Sequence, residues 1–382
     1  MINVLGIASY RFLPANTGGQ KYIALFYKYF SAFKNFCCAS VVDIPVEKKE
    51  GQYEILPVFS KSPLRYINIL YYFSLKRIIR DKSITHILLE HPYYGWLGYL
   101  LKKNLKVKLI IQSHNIEGLR FKSLGKWWWR ILLYYEKKVH RFADMNFFIT
   151  EEDRLYAIRN FELNDSKCIT ITYGTELEHP YNAQQKADAK KAICQTYGIN
   201  KENPLLFFSA ALNYPPNQKA LDSILFDINP LLLNAGIPYH ILICGPDLPD
   251  QYQQLSGYKN KNITYAGFVD DIDLYFRAAD IFINPVSEGG GIKTKVVEAL
   301  AANCSVVSYK SGALGIPTEV AGSKLYITDD KNADAFTECI LKELIMDATA
   351  IPEEFFNYFS WKGIAHKAAT AINLFSTGGV VQ

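Results

Sequence analysis

The sequence lacks any apolar run long enough to cross a membrane, although 49% of its 382 residues are hydrophobic. Its start, MINVLGIASYRF, is typical of a strand followed by polar residues rather than of a signal peptide. No Cys-x-x-Cys pair is present, and the seven cysteines are scattered. Scattered thiols are typical of a reducing compartment, so we expect a cytoplasmic protein.

Three further absences exclude classes of function. No grouping of His, Asp and Cys has the spacing of a metal site, so we expect metal-independent chemistry without a cofactor. No Gly-x-Gly-x-x-Gly follows a predicted strand, which disfavours a nicotinamide-dependent oxidoreductase. No nucleic-acid-binding motif is visible, so nucleic acid is not an expected partner.

Charge is distributed unevenly between the two halves of the chain. Residues 1–180 contain 26 Lys and Arg against 16 Asp and Glu, whereas the remainder contains 16 against 21. The first half therefore carries a net charge of +10 and the second half −5. A basic first half suits an anionic partner, such as a membrane surface or a phosphorylated acceptor. A peripheral position at the inner face of the cell membrane is thus a second expectation.

Predicted strands and helices alternate along the chain, whose length favours two domains. Apolar runs predict strands at Ile2–Ser9, Thr85–Glu90, Lys108–Gln112, Asp144–Thr150, Cys168–Thr172, Leu205–Ser209, Ile241–Cys244, Thr264–Phe268 and Ile281–Asn284. The alternation indicates an α/β fold of doubly wound parallel sheets, with domains at 1–180 and 190–359. The polar segment 178–192 predicts a linker, and 360–377 predicts a final helix.

A glycine run follows the last of these predicted strands, and its backbone can be approached closely by a ligand. Its members are Gly289, Gly290 and Gly291. The helix predicted to follow carries Lys293 and Lys295 in its first turn, where acidic residues are normally favoured. Two lysines beside free backbone N–H groups indicate a site for an anion.

Glu298 follows Thr294 by four residues, so it faces the same way as the glycine run. A carboxylate one turn from a phosphate site can accept hydrogen bonds from ribose hydroxyls. The alternative is a glycine-rich turn with an ordinary surface pair between Lys295 and Glu298.

The segment from Asn284-Pro285 through the glycine run, Lys293 and Glu298-Ala299-Leu300-Ala301 to the Val306-Val307 strand resembles the donor-nucleotide motif of retaining family 4 glycosyltransferases. This resemblance implies the GT-B fold, in which two Rossmann-like domains face across a cleft and the last helix crosses back to the first domain. It implies a nucleotide-diphosphate sugar as donor and a glycan or lipid-linked acceptor. It also gives Lys293 a catalytic role on the departing diphosphate.

Two features of the first half match the same family. A strand, Gly18-Gly19 and a helix follow one another, which is a phosphate-binding geometry, although a plain helix start has the same pattern. His114 directly follows a predicted parallel strand, at the sheet edge where such folds bind ligands, and family members carry a His at a similar place. The alternative is a His that caps its loop. Glu117 is a further catalytic candidate that positions an acceptor hydroxyl or pairs with Arg120.

The sequence departs from the family pattern at two positions. Many members have a first glutamate that is separated from the second by seven intervening residues, but Gly290 stands there, and Glu288 is the substitute that remains. Many members also have an Arg and a Lys in the loop after the first strand of the second domain. The loop 210–214 has neither, and the nearest base is Lys219, which we therefore include in the donor site.

Two basic aromatic segments predict a membrane surface or a lipid-linked acceptor. Residues 61–82 predict a helix in which apolar residues alternate with Arg and Lys. Residues 122–141 contain three consecutive tryptophans, which cannot all face inward on a helix, so at least one is expected to be exposed. The alternatives are an ordinary amphipathic helix and inter-domain packing.

The expected function is transfer of a sugar to an acceptor hydroxyl with retention at the anomeric carbon, in cell-surface glycan synthesis. Fixed N–H dipoles and Lys293 would stabilise the charge that develops on the diphosphate. The sequence leaves two alternatives open: a sugar-nucleotide epimerase with a similar fold, and an inactive partner in a glycan assembly complex.

Overall fold

The computed structural model describes residues 2–42, 53–346 and 349–377. The chain divides into two compact units: Met1–Gly174 with Phe359–Gln382, and Thr175–Tyr358. Each unit is built on one parallel sheet with helices connecting its strands. The predicted α/β class with two Rossmann-like sheets is therefore confirmed.

The described part of the first unit contains a seven-stranded parallel sheet in the order β3-β2-β1-β4-β5-β6-β7. Its strands are β1 Asn3–Ala8, β2 Asn35–Val41, β3 Glu54–Phe59, β4 His86–Glu90, β5 Lys108–Ser113, β6 Met145–Phe148 and β7 Cys168–Thr170. They form because each is a short apolar run, nearly fully buried in the central strands. The chain adds β2 and β3 on one side of β1 and then β4 to β7 on the other side, so the strand order reverses between β1 and β4.

The described part of the second unit contains a six-stranded parallel sheet in the order β10-β9-β8-β11-β12-β13. Its strands are β8 Leu205–Ser209, β9 His240–Cys244, β10 Ile263–Gly267, β11 Ile281–Asn284, β12 Ser305–Tyr309 and β13 Leu325–Thr328. Here the strand order reverses between β8 and β11. The predicted bounds of β8 and β11 are confirmed, because both are apolar runs with clear breaks at each end.

The α-helices alternate with the strands in chain order. They are α1 Gly18–Phe30, α2 Tyr71–Asp81, α3 Gly95–Leu105, α4 Glu117–Ser123, α5 Trp129–Phe142, α6 Glu151–Phe161, α7 Ala183–Tyr197, α8 Pro215–Asp222, α9 Asn229–Asn234, α10 Ile272–Ala278, α11 Thr294–Ala301, α12 Thr318–Ala321, α13 Ala333–Ile345, α14 Glu353–Phe359 and α15 Trp361–Ser376. None of the helices in the described ranges is long and apolar enough to span a bilayer.

The final helix, α15, packs in the first unit. Its first residue, Trp361, is 1% exposed and meets the rings of Tyr22 and Tyr173 edge to face, at centroid distances of 5.5 and 5.2 Å. Near the other end of the helix, the hydroxyl of Ser376 is 3.1 Å from Nε2 of His86. These contacts tie the chain's last described turns to β4 and α1.

The structure corrects three expectations about local structure. The segment predicted as a linker contains α7, whose start is capped by Asn182 and whose Lys186 donates to the carbonyl of Ala279 at 2.9 Å. The segment 61–82 is not one helix, because a short 3-10 turn, Pro63–Ile67, precedes α2. The three tryptophans also do not share a helix, since α5 begins only at Trp129.

Candidate functional site

The points at which the strand order reverses locate the candidate sites. In open parallel sheets the loops on either side of such a point diverge, and ligands bind at the carboxyl ends of the strands there. In the first unit this point lies between β1 and β4, so it is flanked by the loop before α1 and by His91. In the second unit it lies between β8 and β11, which end at the loop 210–214 and at the glycine run.

A buried polar cluster fills the first of these points, and His91 is at its centre. Its Nδ1 lies 3.0 Å from Oε1 of Glu117, and its Nε2 lies 3.1 Å from the hydroxyl of Tyr10. The residue has φ +64°, a backbone conformation that is unfavourable for a side chain of this kind. Residues held in such conformations cluster at functional sites, which marks the end of β4 as a candidate.

His114 stacks on His91 and is likewise buried. Its Nε2 lies 2.6 Å from Oε2 of Glu90, and its ring lies edge to face on Tyr22 at 4.8 Å. Burial, together with the charge of His91, lowers the pKa of His114. The imidazole is therefore held in its neutral form near pH 7. The structure thus places His114 at the end of β5, as predicted, and gives it a carboxylate partner.

Glu117 is completely buried beneath these histidines. Tyr93 donates its hydroxyl to Oε2 of Glu117 at 2.9 Å, and Arg120 donates to the same oxygen at 3.0 Å. Burial alone would raise the pKa of Glu117, but the hydrogen bond from His91 and the charges of His91 and Arg120 lower it to about 2. The pairing of Glu117 with Arg120 is therefore observed, whereas its contact with an acceptor stays a prediction.

Glu136 on α5 holds the start of α4 in place. Its two carboxylate oxygens accept the backbone N–H groups of Glu117 and Gly118, at 2.9 and 3.0 Å. These are two of the N–H groups that a helix start leaves without an intrahelical partner. Burial raises the pKa of Glu136 to about 8, against the opposing effect of these two amides. The contact fixes where Glu117 enters the cluster.

The start of α1 lies against the same cluster. Thr17 and Gln20 form a reciprocal capping box, so the backbone at Gly18 and Gly19 is fixed. A Cβ atom on Gly19 would lie 3.3 Å from the hydroxyl of Tyr10 and 4.0 Å from Nδ1 of His114. The structure therefore brings together Gly19 and His114, two of the predicted site residues. Whether these groups bind a diphosphate remains a prediction.

The glycine run of the second unit encloses the ammonium group of Lys293. Its Nζ lies 3.4, 3.2 and 3.1 Å from the carbonyl oxygens of Gly289, Gly290 and Gly291. Gly289 and Gly291 have φ of +90° and +70°, which other residues rarely adopt. The prediction that Lys293 lies in the first turn of α11 is wrong: Lys293 is the N-cap residue, because the helix begins at Thr294.

The other donor-site candidates lie around this run. Lys219 on α8 donates to both carboxylate oxygens of Glu288, at 2.6 and 2.8 Å. A Cβ atom on Gly289 would lie 3.9 Å from the hydroxyl of Tyr214, so the loops after β8 and β11 meet. The charges of Lys219 and Glu288 neutralise each other. The ammonium of Lys293 is instead held by the glycine run itself.

Glu298 lies one turn along α11 from this loop. Its Oε2 is 3.2 Å from Nζ of Lys295, so the surface pair that the sequence left open as an alternative is present. The contact of Glu298 with a nucleotide stays a prediction.

Several polar residues of the first-unit cluster were missed by the sequence analysis. They are Tyr10, Tyr22, Glu90, His91 and Tyr93. The signal was available for His91, since it follows a predicted strand in the same way as His114. Within the ranges that the structure describes, no group of three or more His, Cys, Asp or Glu side chains could hold a metal ion.

Two family models match successive parts of the sequence. Residues 36–179 match the model described as Glycosyltransferase Family 4, and residues 203–345 match the model described as Glycosyl transferases group 1. The first match covers most of the unit that holds the histidine cluster. The second covers the unit that holds the glycine run.

One curated relative and two solved structures are similar over long stretches. The chain is 22% identical over 305 residues to chitobiosyldiphosphodolichol beta-mannosyltransferase of Debaryomyces hansenii, covering 73% of this chain and 64% of that protein's length. Sucrose-phosphate synthase from Thermosynechococcus elongatus has a TM-score of 0.76 at 14% identity, with 99% of this chain and 100% of that one covered.

The second structure is Anabaena HepE in complex with UDP and glucose, with a TM-score of 0.68 at 13% identity. The match covers 98% of this chain and 100% of that one. At such low identities the two solved structures indicate the fold alone. Two successive stretches of the chain thus match glycosyltransferase family models, and its two parallel-sheet units have the GT-B fold.

Proposed function

We propose that the protein transfers a sugar from a nucleotide-diphosphate sugar to an acceptor hydroxyl, with retention at the anomeric carbon. The observation that carries the proposal is the glycine run at the start of α11, with the ammonium of Lys293 at its centre. HepE, a protein of the same fold, was crystallised with UDP and glucose. The sequence resemblance to retaining enzymes supports the stereochemical part.

The chemistry requires a site that stabilises a departing diphosphate. Negative charge grows on this group as its bond to the sugar breaks, and fixed N–H dipoles and a cation are suited to oppose it. In our proposal the ammonium of Lys293 leaves the three glycine carbonyls and binds the diphosphate. Glu298, one turn further along α11, accepts hydrogen bonds from the ribose hydroxyls.

In the first unit, His114 is proposed to meet a hydroxyl group of the sugar or the acceptor. Its position at the end of β5, beside the start of α1, supports this role. Glu117 supports the cluster through His91 and Arg120 in this scheme, since its side chain is completely buried.

The acceptor is proposed to be a glycan precursor on a lipid, reached at an anionic membrane surface. The turn before α2 and the start of that helix expose large apolar side chains: Leu64, Ile67, Ile69, Leu70 and Phe73. Exposed basic residues accompany them: Lys61, Arg77 and Arg80. Apolar side chains with a basic surround bind anionic lipid surfaces by burial and charge together.

The donor site is tested by thermal unfolding with UDP, GDP, ADP and CMP and their sugars. A ligand at a hundred times its dissociation constant adds about 2.7 kcal/mol of stability. We expect one diphosphate to stabilise the wild type, and Lys293→Ala and Glu298→Ala to lose that shift. Lys310→Ala, an exposed lysine of the same unit, is the matched control. If no nucleotide shifts the unfolding temperature of the wild type, the proposal is contradicted. That result would favour the alternative of an inactive partner in a glycan assembly complex.

Product analysis separates the enzymatic alternatives. NMR of the product's anomeric carbon shows whether the donor's configuration is retained, and an inverted product would contradict that part of the proposal. Conversion of the nucleotide sugar to its epimer without an acceptor would indicate that the protein is an epimerase and not a transferase.

Membrane binding is tested by sedimentation with vesicles of phosphatidylglycerol or phosphatidylcholine. We expect binding to the anionic vesicles, weakened in the double variant Ile67→Ser with Phe73→Ser. The control is Phe226→Ser in the second unit, because Phe226 and Phe73 are both 61% exposed. Equal binding of the wild type to neutral and anionic vesicles, or equal binding of the wild type and the double variant, would contradict the proposed membrane-binding surface.

A further inference from the structure

We propose that Glu90 is a positioning residue that holds His114 with its hydrogen on Nε2, so that Nδ1 offers a lone pair to a substrate hydroxyl. The proposal rests on the transferase function above and adds the residue that fixes the tautomer of His114 and the ring nitrogen that meets the hydroxyl. A ring nitrogen with a lone pair accepts a hydrogen bond from a hydroxyl and repels the oxygens of a phosphate.

The first argument is the geometry between the two side chains. Oε2 of Glu90 lies 2.6 Å from Nε2 of His114, and both side chains are buried. We assign the hydrogen of this contact to Nε2, which donates it to the carboxylate oxygen. Since a neutral imidazole carries one N–H hydrogen, Nδ1 is then an acceptor.

The second argument is the rigidity of the carboxylate. Glu90 is the last residue of β4, which is paired with β1 on one side and with β5 on the other. Its register partners are Ala8 and Gln112, and Gln112 lies in β5 two residues before His114. The distance between the two side chains is therefore set by the sheet itself rather than by mobile loops.

The third argument is where the other ring nitrogen is directed. Nδ1 of His114 has no hydrogen-bond partner among residues 2–42, 53–346 and 349–377. It lies 4.0 Å from the place of a Cβ on Gly19, so the missing side chain leaves room beside it at the start of α1. His91 differs, because both of its ring nitrogens are engaged by protein groups, Glu117 and Tyr10.

The charged and titratable groups around the ring agree with this assignment. They are Glu90 and His91 from the end of β4, Glu117 from α4 and Tyr22 from α1. Burial is the largest influence on the ring and disfavours its charged form. Glu90 thus acts mainly through orientation and tautomer, and not by keeping the ring protonated.

The test is NMR of the full-length protein with nitrogen-15-labelled histidine, assigned with His114→Asn. The wild type is expected to show His114 with hydrogen on Nε2 at neutral pH. Glu90→Gln should keep it, since an amide oxygen can accept the same bond, and Glu90→Leu should lose it. His140, which is bonded to Asn146 through Nδ1, is the internal control whose signals stay unchanged. Hydrogen on Nδ1 of His114 in the wild type would overturn the proposal.

Kinetics provide the second measurement. Glu90→Leu is expected to lower kcat about tenfold, the effect of one misplaced hydrogen bond, and to leave KM for the nucleotide sugar unchanged. Glu90→Gln should restore most of the loss. An unchanged kcat in Glu90→Leu, or equal losses in both variants, would overturn the positioning role.

The two measurements keep this proposal separate from the proposed function. The NMR experiment needs no substrate, so it decides the tautomer even in a protein that transfers no sugar. If Glu90→Leu does not fold, the wild-type spectrum and the comparison with Glu90→Gln still decide the outcome.

Discussion

The imidazole rings of His91 and His114 stack on each other, with centroids 4.1 Å apart and planes inclined by 29°. The two residues follow neighbouring strands of one sheet, and each is bonded to its own buried glutamate. Their outer nitrogens differ, because Nε2 of His91 meets Tyr10 whereas Nδ1 of His114 is directed toward Gly19. One ring is therefore fully engaged in supporting the fold, and the other has a nitrogen available for a ligand.

Replacement of His91 is expected to reduce stability more than ligand binding. His91→Ala removes a buried partner from Glu117 and from Tyr10, which should lower the free energy of unfolding by about 3 kcal/mol. Urea unfolding measures the loss, and His179→Ala, at an exposed histidine, should change stability by less than about 0.5 kcal/mol. Equal midpoints for the two variants would argue against a supporting role.

Replacement of Gly19 by alanine is expected to reduce transfer activity without reducing the stability of α1. Alanine favours a helix over glycine by up to about 1 kcal/mol, so Gly19→Ala should not destabilise α1. Its Cβ would stand 3.3 Å from the hydroxyl of Tyr10, within the space beside His114. We expect transfer activity to fall at least about tenfold. Gly98→Ala is the contrasting variant, since its Cβ would lie 2.8 Å from Leu89 and should destabilise the fold.

Acid should weaken the first unit through Glu117. Its pKa is about 2 in the folded protein against an ordinary value of 4.5, so its ionised form stabilises the fold above about pH 4.5. This contribution is lost as the pH falls through the folded pKa, with about 2 kcal/mol gone by about pH 3. Urea unfolding at several pH values should show the loss in the wild type and not in Glu117→Gln. Parallel curves would contradict the assignment.

Two tryptophans should respond in opposite ways to truncation. Trp361→Ala is expected to cost about 4 kcal/mol, because it empties a buried site between Tyr22 and Tyr173. Trp127 is 83% exposed, so Trp127→Ala should cost less than about 0.5 kcal/mol. Thermal unfolding of the two variants checks this. A small effect at Trp361 would mean that α15 is dispensable for the first unit.

Local apolar patterns were sufficient to predict most strands of the second unit, because each is a short run bounded by polar residues or proline. They were insufficient for α7, whose many polar side chains resemble a linker although Lys186 ties the helix to three backbone carbonyls. An exposed tryptophan was predicted and Trp127 is exposed, but the argument assumed one helix through all three tryptophans, whereas α5 begins at Trp129.

The polar cluster could be predicted only in part, for a different reason. The position of His114 after a strand is a local signal. The contact between Glu90 and His114 depends on β4 and β5 being neighbours, and the meeting of Gly19 with His114 depends on β1 lying beside β4. Strand order is a property of the whole sheet, and no short stretch of the sequence specifies it.

The ammonium of Lys293 has a further consequence for how the loop takes up a ligand. Three carbonyl oxygens surround it, so the loop folds around its own cation. An incoming diphosphate would compete with these carbonyls, and its arrival would free them to turn toward solvent. Binding of the diphosphate and the conformation of the loop would then be coupled. NMR signals of the amide protons of Gly289 to Gly291 would detect this change in the loop. Replacement of Lys293 would remove the cation around which the loop folds, so it would alter the loop's conformation as well as its charge.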